Sequence, residues 1–376
     1  MKKINVLVIA AVLIAVHLLI FAAFVGKKND QAPAAAPPAE QPAEPIPNTS
    51  GPDLEATSAF EVPKLDLLET IGAEVPAETP GPAAPVREVI ATPGRRDGYL
   101  RSDQPEHRTT QNYDKLVGDP FQGEIVVDAR TGRILYERRA GAYAYPASVT
   151  KLMTLLIVLE QIDAGKISLD DKVAITDEVA KVGGSEVYLD VRESGAYTVH
   201  NLLQCLMIHS ANDSARALAL HVAGNRDAFV DMMNRKAREL GMNSTVYHSE
   251  HGLPPDDGSQ PDISTAYDIA ILSLAVLKHP KAIEYSGTKL AYLPTSPIRD
   301  EQFMLANRNV LISKDPYPGC DGLKTGYHAR GGYSLAATAV RGDDRVVAVI
   351  LGVPDSTTRT ANVRELLDKG FAALRP

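Results

Sequence analysis

The stretch "GYSLAATAVRGDDRVVAVILGV", residues 332–353, decides the fold. Two runs rich in Val, Ala, Ile and Leu flank Arg341-Gly342-Asp343-Asp344. Apolar runs of this length on either side of a short Gly-Asp turn read as two antiparallel strands joined by a tight hairpin. Just upstream, "KLAYLP" (289–294) and "GLKTGY" (322–327) also read as strands. Downstream, "TRTANVRELLDKGFAALRP" (358–376) reads as a helix. A second hairpin opens the folded part: "GEIVVDA" (123–129) and "RILYER" (133–138) meet at Arg130-Thr131-Gly132-Arg133.

The residues between the two hairpins have helical spacing. After Pro146, Leu152, Leu155, Leu156 and Leu159 recur at i, i+3, i+4 and i+7, and Asp163-Ala164-Gly165 ends the run. "TVHNLLQCLMIHS" (198–210) predicts a helix interrupted near Ser210. "NDSARALALHVAG" (212–224) and "DAFVDMMNRKAREL" (227–240) predict two more. A fifth is "STAYDIAILSLAVLKHP" (264–280), with Ser264 as its cap. "KVAI" (172–175) reads as a short strand. Strands first, helices in the middle, then strands and a helix predict one α+β domain, built on a mainly antiparallel sheet with a helical subdomain.

The 376 residues carry a net charge of -8, which argues against a nucleic-acid binder. Met1-Lys2-Lys3 precedes an apolar run from Val6 to Val25, broken only by His17. As a helix, twenty such residues reach about 30 Å, the thickness of a bilayer core. Residues 1–28 are therefore read as an N-terminal membrane anchor or signal sequence, which exports the rest of the chain. Residues 29–112 read as a disordered Pro/Ala-rich linker, since 31–95 hold 13 of the 26 prolines. Cys205 and Cys320 are too few for a disulfide framework, and the sequence leaves their pairing open. No spacing resembles a zinc site or a phosphate loop.

Ser148-Val149-Thr150-Lys151 starts the first long helix, which sets a serine and a lysine on one face. Alone, Ser-x-x-Lys arises by chance about once per chain of this size. Indeed Ser286 and Lys289 repeat it, but Gly287 and a following strand-like segment leave nothing to align them. Two further elements add specificity: Ser210-Ala211-Asn212 at a break between helices, and Lys324-Thr325-Gly326 on a strand. With these three motifs the sequence resembles the serine D-alanyl-D-alanine carboxypeptidases, the low-molecular-mass penicillin-binding proteins. "AYPASVTKLMT", "LLQCLMIHSANDSA", "HSEHGL", "NRNVLI" and "DGLKTGYHARGGYSL" extend the resemblance over about 117–376. It makes residues 113–376 a serine DD-peptidase catalytic domain with the β-lactamase/DD-peptidase fold.

What the resemblance implies is specific. Ser148 would be the acylated nucleophile and Lys151 its base, which must be neutral to act. Burial and the charge of Lys324 are the expected causes of a lowered Lys151 pKa. Ser210 would relay a proton to the leaving amine, and Asn212 would hold the substrate and orient Lys151. Lys324 and Thr325 would bind the terminal carboxylate, with Arg308 as a further contact. Gly326 would let the substrate backbone approach, and the N–H groups of Ser148 and Tyr327 would form the oxyanion hole. Substrates would be peptidoglycan stem peptides ending in D-Ala-D-Ala, with β-lactams as inhibitors, no cofactor, and a place in the cell envelope. The alternatives are an endopeptidase cutting crosslinks, a β-lactamase using Glu250, or a non-catalytic penicillin sensor.

Overall fold

The computed structural model describes residues 116–254 and 261–375. The anchor reading of residues 1–28 and the linker reading of 29–112 lie outside the described residues. The strands are β1 (Gly123–Asp128), β2 (Ile134–Arg138), β3 (Tyr143–Ala144), β4 (Ser264–Thr265), β5 (Leu290–Leu293), β6 (Phe303–Ala306), β7 (Cys320–His328), β8 (Gly332–Arg341) and β9 (Asp344–Val353). The helices are α1 (Lys151–Asp163), α2 (Asp177–Ala180), α3 (Val199–Gln204), α4 (Asn212–Ala223), α5 (Arg226–Glu239), α6 (Ala266–Val276), α7 (Pro280–Gly287) and α8 (Ser356–Leu374).

Five strands form one antiparallel sheet in the order β2-β1-β9-β8-β7. Pairing of Arg341 with Asp344 leaves a two-residue turn, and Gly342 takes the left-handed φ of +61° that such a turn demands. The central strand β9 explains its own composition. Val346, Ala348 and Ile350 face α8, packing with Val363, Leu366 and Phe371. Val347, Val349 and Leu351 face the opposite way, into the main core beneath the helical subdomain. A strand buried on both faces needs a near-continuous apolar run, and that is what "RVVAVILGV" supplies.

The helical subdomain is organised around α1, in which every residue from Lys151 to Leu159 is buried. A helix surrounded on all sides by protein shows no polar stripe. At the other margin of the sheet, β7 is an edge strand that pairs only with β8 in this sheet. It runs beside the Ala147–Thr150 turn that leads into α1.

Some sequence expectations change. "KVAI" makes no strand; only Lys172 pairs, with Thr198, because Val173 bonds the irregular backbone at Tyr197 and Gly195. The cap of α6 is Thr265, whose hydroxyl accepts from the Asp268 N–H at 3.0 Å. Ser264 is instead extended in β4, paired with Ala144. "KLAYLP" does contain a strand, but β5 pairs with β6 in a separate ribbon. The helix α7, opened by Pro280 at its first position, has no counterpart among the expected elements. Cys205 and Cys320 are both free thiols. Among the described residues, no helix is long and apolar enough to cross a membrane.

Candidate active site

Ser148 sits on a turn of 3-10 helix, Ala147–Thr150, and Lys151 is the first residue of α1. In a 3-10 turn positions i and i+3 eclipse, so the two side chains meet more closely than on a regular helix. Lys151 Nζ lies 3.1 Å from Ser148 Oγ. The lysine is fully buried and has two further partners: Asn212 Oδ1 at 2.6 Å and the His251 carbonyl at 2.8 Å.

Ser210 and Asn212 owe their positions to a change of helical pitch. After α3 the chain widens into a π-type turn over Cys205–His209, and Ser210 ends it with a left-handed φ of +67°. A non-glycine residue there stores backbone strain, which concentrates at functional sites. Asn212 then begins α4. Its backbone N–H bonds Ser185 O at 2.7 Å, and its Nδ2 donates to Gly183 O at 2.8 Å. That second bond fixes the amide so that Oδ1 faces Lys151. The next residue, Asp213, accepts from the N–H groups of Val187 and Leu189, so α4 carries the whole 183–189 loop.

The edge strand closes the site. Lys324 is buried on β7, and its Nζ donates to Ser210 Oγ at 2.9 Å and to Thr325 O at 3.0 Å. Thr325 follows at the margin of burial. Gly326 has a reason that the sequence does not suggest. A Cβ there would stand 2.5 Å from Pro146 O and 3.2 Å from Val149 Cγ2. The glycine lets β7 close against the turn that carries Ser148, so its small size is already used within the protein.

Electrostatics centre on the two buried lysines. Burial lowers the Lys151 pKa to about 7, against upward pulls from Glu250, Asp262 and Asp213. The expected contribution of Lys324 falls the other way round: burial first, then the charges of Lys151, Arg308 and Arg359, hold Lys324 well below the ordinary lysine range.

Residues 248–252 complete the constellation. Asp262 accepts from the N–H groups of His248 and Ser249 and from Thr150 Oγ1, at 2.7, 3.0 and 2.7 Å. Thr154 Oγ1 donates to Glu250 O at 2.6 Å. These bonds clamp "HSEHGL" onto the start of α1 and aim the His251 carbonyl at Lys151. From sequence His251 reads only as a turn residue, because a backbone carbonyl leaves no mark in a side-chain pattern. Leu253 N–H donates to His251 Nδ1, while burial holds the ring near a pKa of about 4.

Residues 121–355 match the sequence model of the D-alanyl-D-alanine carboxypeptidase family, peptidase S11. The chain belongs to that family. It is 37% identical over 248 residues to D-alanyl-D-alanine carboxypeptidase DacF of Bacillus subtilis, covering 66% of this chain and 61% of that protein. It is 35% identical over 253 residues to DacC of Escherichia coli, covering 66% and 60%. The chain thus spans about three fifths of the length of these relatives. Among solved structures, it resembles penicillin-binding protein D2 of Listeria monocytogenes in its ampicillin-bound form. There the TM-score is 0.59 and the identity 30%, over 67% of this chain and 98% of that one. Penicillin-binding protein 6B of E. coli aligns with a TM-score of 0.60 and 31% identity, over 71% and 81%. These neighbours share the α+β architecture of antiparallel sheet and helices.

Several other residues of this S11 domain stand out in the sequence. Arg308 is exposed and bonds His209 Nε2 at 3.2 Å. Burial, then the Arg308 charge, lowers the His209 pKa to about 4, so a neutral ring accepts from the guanidinium. Tyr327 stands exposed beside Tyr333, with ring centroids 4.5 Å apart. The Glu250 carboxylate is buried against Arg216 Nε at 2.6 Å and lies 3.5 Å from His251 Nε2. Held in that ion pair, it is not placed as a β-lactamase's water-activating base. The second Ser-x-x-Lys is dispersed: Ser286 is buried in α7 and donates to Asp321 O, whereas Lys289 lies beyond the helix end.

Proposed function

We propose that the chain is a serine DD-peptidase that removes the terminal D-Ala from peptidoglycan stem peptides ending in D-Ala-D-Ala. The observation that carries this reading is the set of three partners around Lys151 Nζ. A neutral amine has two N–H donors and one lone pair. Asn212 Oδ1 and the His251 carbonyl can only accept, so they take the two donors. The lone pair is left for the one partner that owns a proton, the Ser148 hydroxyl. The same three partners would also satisfy an ammonium, and it is burial, which lowers the lysine pKa to about 7, that makes the neutral base available.

The reaction follows from these groups. Ser148 Oγ attacks the D-Ala carbonyl carbon while its proton passes to Lys151. The Ser148 and Tyr327 N–H groups receive the developing oxyanion. Ser210 Oγ accepts from Lys324, so its own O–H donates to the departing amine of the terminal D-Ala, and the proton that Lys151 took from Ser148 replaces it, leaving Lys151 neutral again. The C–N bond breaks and an ester on Ser148 remains. Water then adds to the ester, losing its proton to Lys151, which passes it to Ser148 Oγ as the C–O bond breaks and the shortened peptide leaves. Lys324, Thr325 and Arg308 supply the positive and hydrogen-bonding groups for the terminal carboxylate, and Asn212 contacts the peptide. A β-lactam enters through the same first step and remains as the ester.

Residues 1–28 are proposed to hold the enzyme at the membrane, as an uncleaved anchor, with the linker of 29–112 carrying the catalytic domain outside the cytoplasm. No cofactor takes part. The test is direct. The purified chain should release D-Ala from a D-Ala-D-Ala pentapeptide and gain the mass of one β-lactam on the peptide containing Ser148. Label on the Ser286 peptide, or no D-Ala release, would refute the assignment. The pH dependence follows from Lys151. Acylation should fall about tenfold per pH unit below about 7 and level off above it, as the base protonates. A rate flat from pH 5 to 8 would remove Lys151 from the role.

A further inference from the structure

Tyr188 stands out on the 183–189 loop. It is 69% exposed, the most exposed large apolar side chain among the described residues. It also holds a left-handed φ of +59°, an unfavourable conformation for an aromatic residue. The strain is imposed from both sides. Asp213 takes the N–H groups of Val187 and Leu189. Arg299 Nη2 donates to the carbonyls of Val187 and Tyr188, at 2.9 and 3.2 Å. Four anchoring bonds on three consecutive residues serve to display a ring toward solvent.

That ring does not stand alone. It meets Phe303 of β6 edge-on at 6.5 Å, and Phe303 meets His209 edge-on at 5.4 Å. His209 immediately precedes Ser210 and holds Arg308. A continuous aromatic shelf, ended by a guanidinium, therefore runs outward from the Ser210–Asn212 side of the site. The loop that carries it supplies the carbonyl holding Asn212.

We propose that Tyr188 is a specificity-determining residue, the outer platform of a subsite for the stem-peptide residues N-terminal to D-Ala-D-Ala. The proposal rests on the DD-peptidase reading above. The occupant is an extended peptide whose aliphatic portions lie on the Tyr188 and Phe303 rings. Continuity with Asn212, the peptide-holding residue of that reading, fixes the acyl side of the substrate as the part that lies there. A strained tyrosine kept in water has a use when a ligand covers it.

The experiment compares D-Ala release from a full pentapeptide and from an N-acetylated D-Ala-D-Ala dipeptide, using the full chain. Tyr188→Ala should lower the ratio of kcat/KM for the long substrate over the short one about tenfold, the scale of one lost aromatic contact. The loss should appear in KM. Tyr188→Phe should restore the ratio. Tyr188→Gly removes the left-handed strain, so it should melt no lower than wild type and still lose the ratio. An equal loss on both substrates, an unchanged ratio, or a lowered melting temperature with an unchanged ratio would each overturn the proposal. A wild-type chain inert on both substrates would instead overturn the functional reading beneath it.

Discussion

Lys151→Met is expected to slow acylation by a β-lactam about a thousandfold, within the range that a positioned general base contributes. The substitution keeps an unbranched apolar stem as far as Cε, with sulfur in place of Cδ, and removes the nitrogen. Ser148 then faces no acceptor for its proton, and the oxyanion donors alone remain to assist attack. Rapid-mixing acylation kinetics would read the rate, and a variant labelled at nearly the wild-type speed would show that another group takes the proton. The same variant has a signature in stability. The folded pKa of Lys151 is about 7, against 10.5 for an ordinary lysine. Between those values the unfolded chain binds a proton that the folded chain lacks, so wild-type stability rises with pH across that window. Below about 7 the full cost of burying the ammonium is present. Methionine has no such dependence. It leaves Asn212 Oδ1 and the His251 carbonyl without their donor, a cost of about 1–3 kcal/mol each. The stability difference should therefore shift in favour of the variant as pH falls from about 10 to about 7. Parallel wild-type and variant stability curves over that range would mean the lysine is not desolvated.

How much of this is legible in the sequence depends on where each signal resides. The β8–β9 hairpin can be read because burial on both faces forces an apolar run, and a Gly-Asp turn interrupts it. Ser148, Ser210, Asn212 and Lys324 can be located because each lies in a short motif, and the folded chain brings all four together through Lys151 and Lys324. What escapes is carried by backbone. The His251 carbonyl, the left-handed Ser210 and the anchoring of Tyr188 are properties of path, which residue type encodes weakly. The β5–β6 ribbon escapes for another reason. Tyr292 and Met304 are large apolar residues on its exposed side, so no clean inside-outside alternation marks the strands. Gly326 is visible as part of its motif, but its packing role is not. The atom 2.5 Å from its would-be Cβ belongs to Pro146, far earlier in the chain, and only the fold brings the two together.

Gly252→Ala should unfold the site from its far side. Gly252 has a φ of +91°, and an added Cβ would overlap the carbonyl oxygen of Ala147, one residue from Ser148. Two costs combine. The left-handed backbone alone costs an L-residue about 1–2 kcal/mol. The collision then forces apart the "HSEHGL" turn and the 3-10 turn, both backbone and neither able to swing aside as a side chain would. Together they should remove about 3 kcal/mol or more of stability, among the larger effects of a single substitution. Activity should suffer even in molecules that stay folded. The displaced turn carries both the His251 carbonyl that orients Lys151 and the contact that seats Ser148, and a shift near 1 Å in such a geometry costs about a hundredfold in rate. Gly195→Ala separates the two costs, because Gly195 has a φ of +76° and an added methyl there would meet nothing within 4 Å. It should lose only the backbone share, about 1 kcal/mol, and acylate at the wild-type rate. Thermal unfolding and β-lactam labelling of both variants decide the matter. Equal losses in the two would mean that the Gly252 turn does not bear on Ser148 and that the close approach has no energetic consequence.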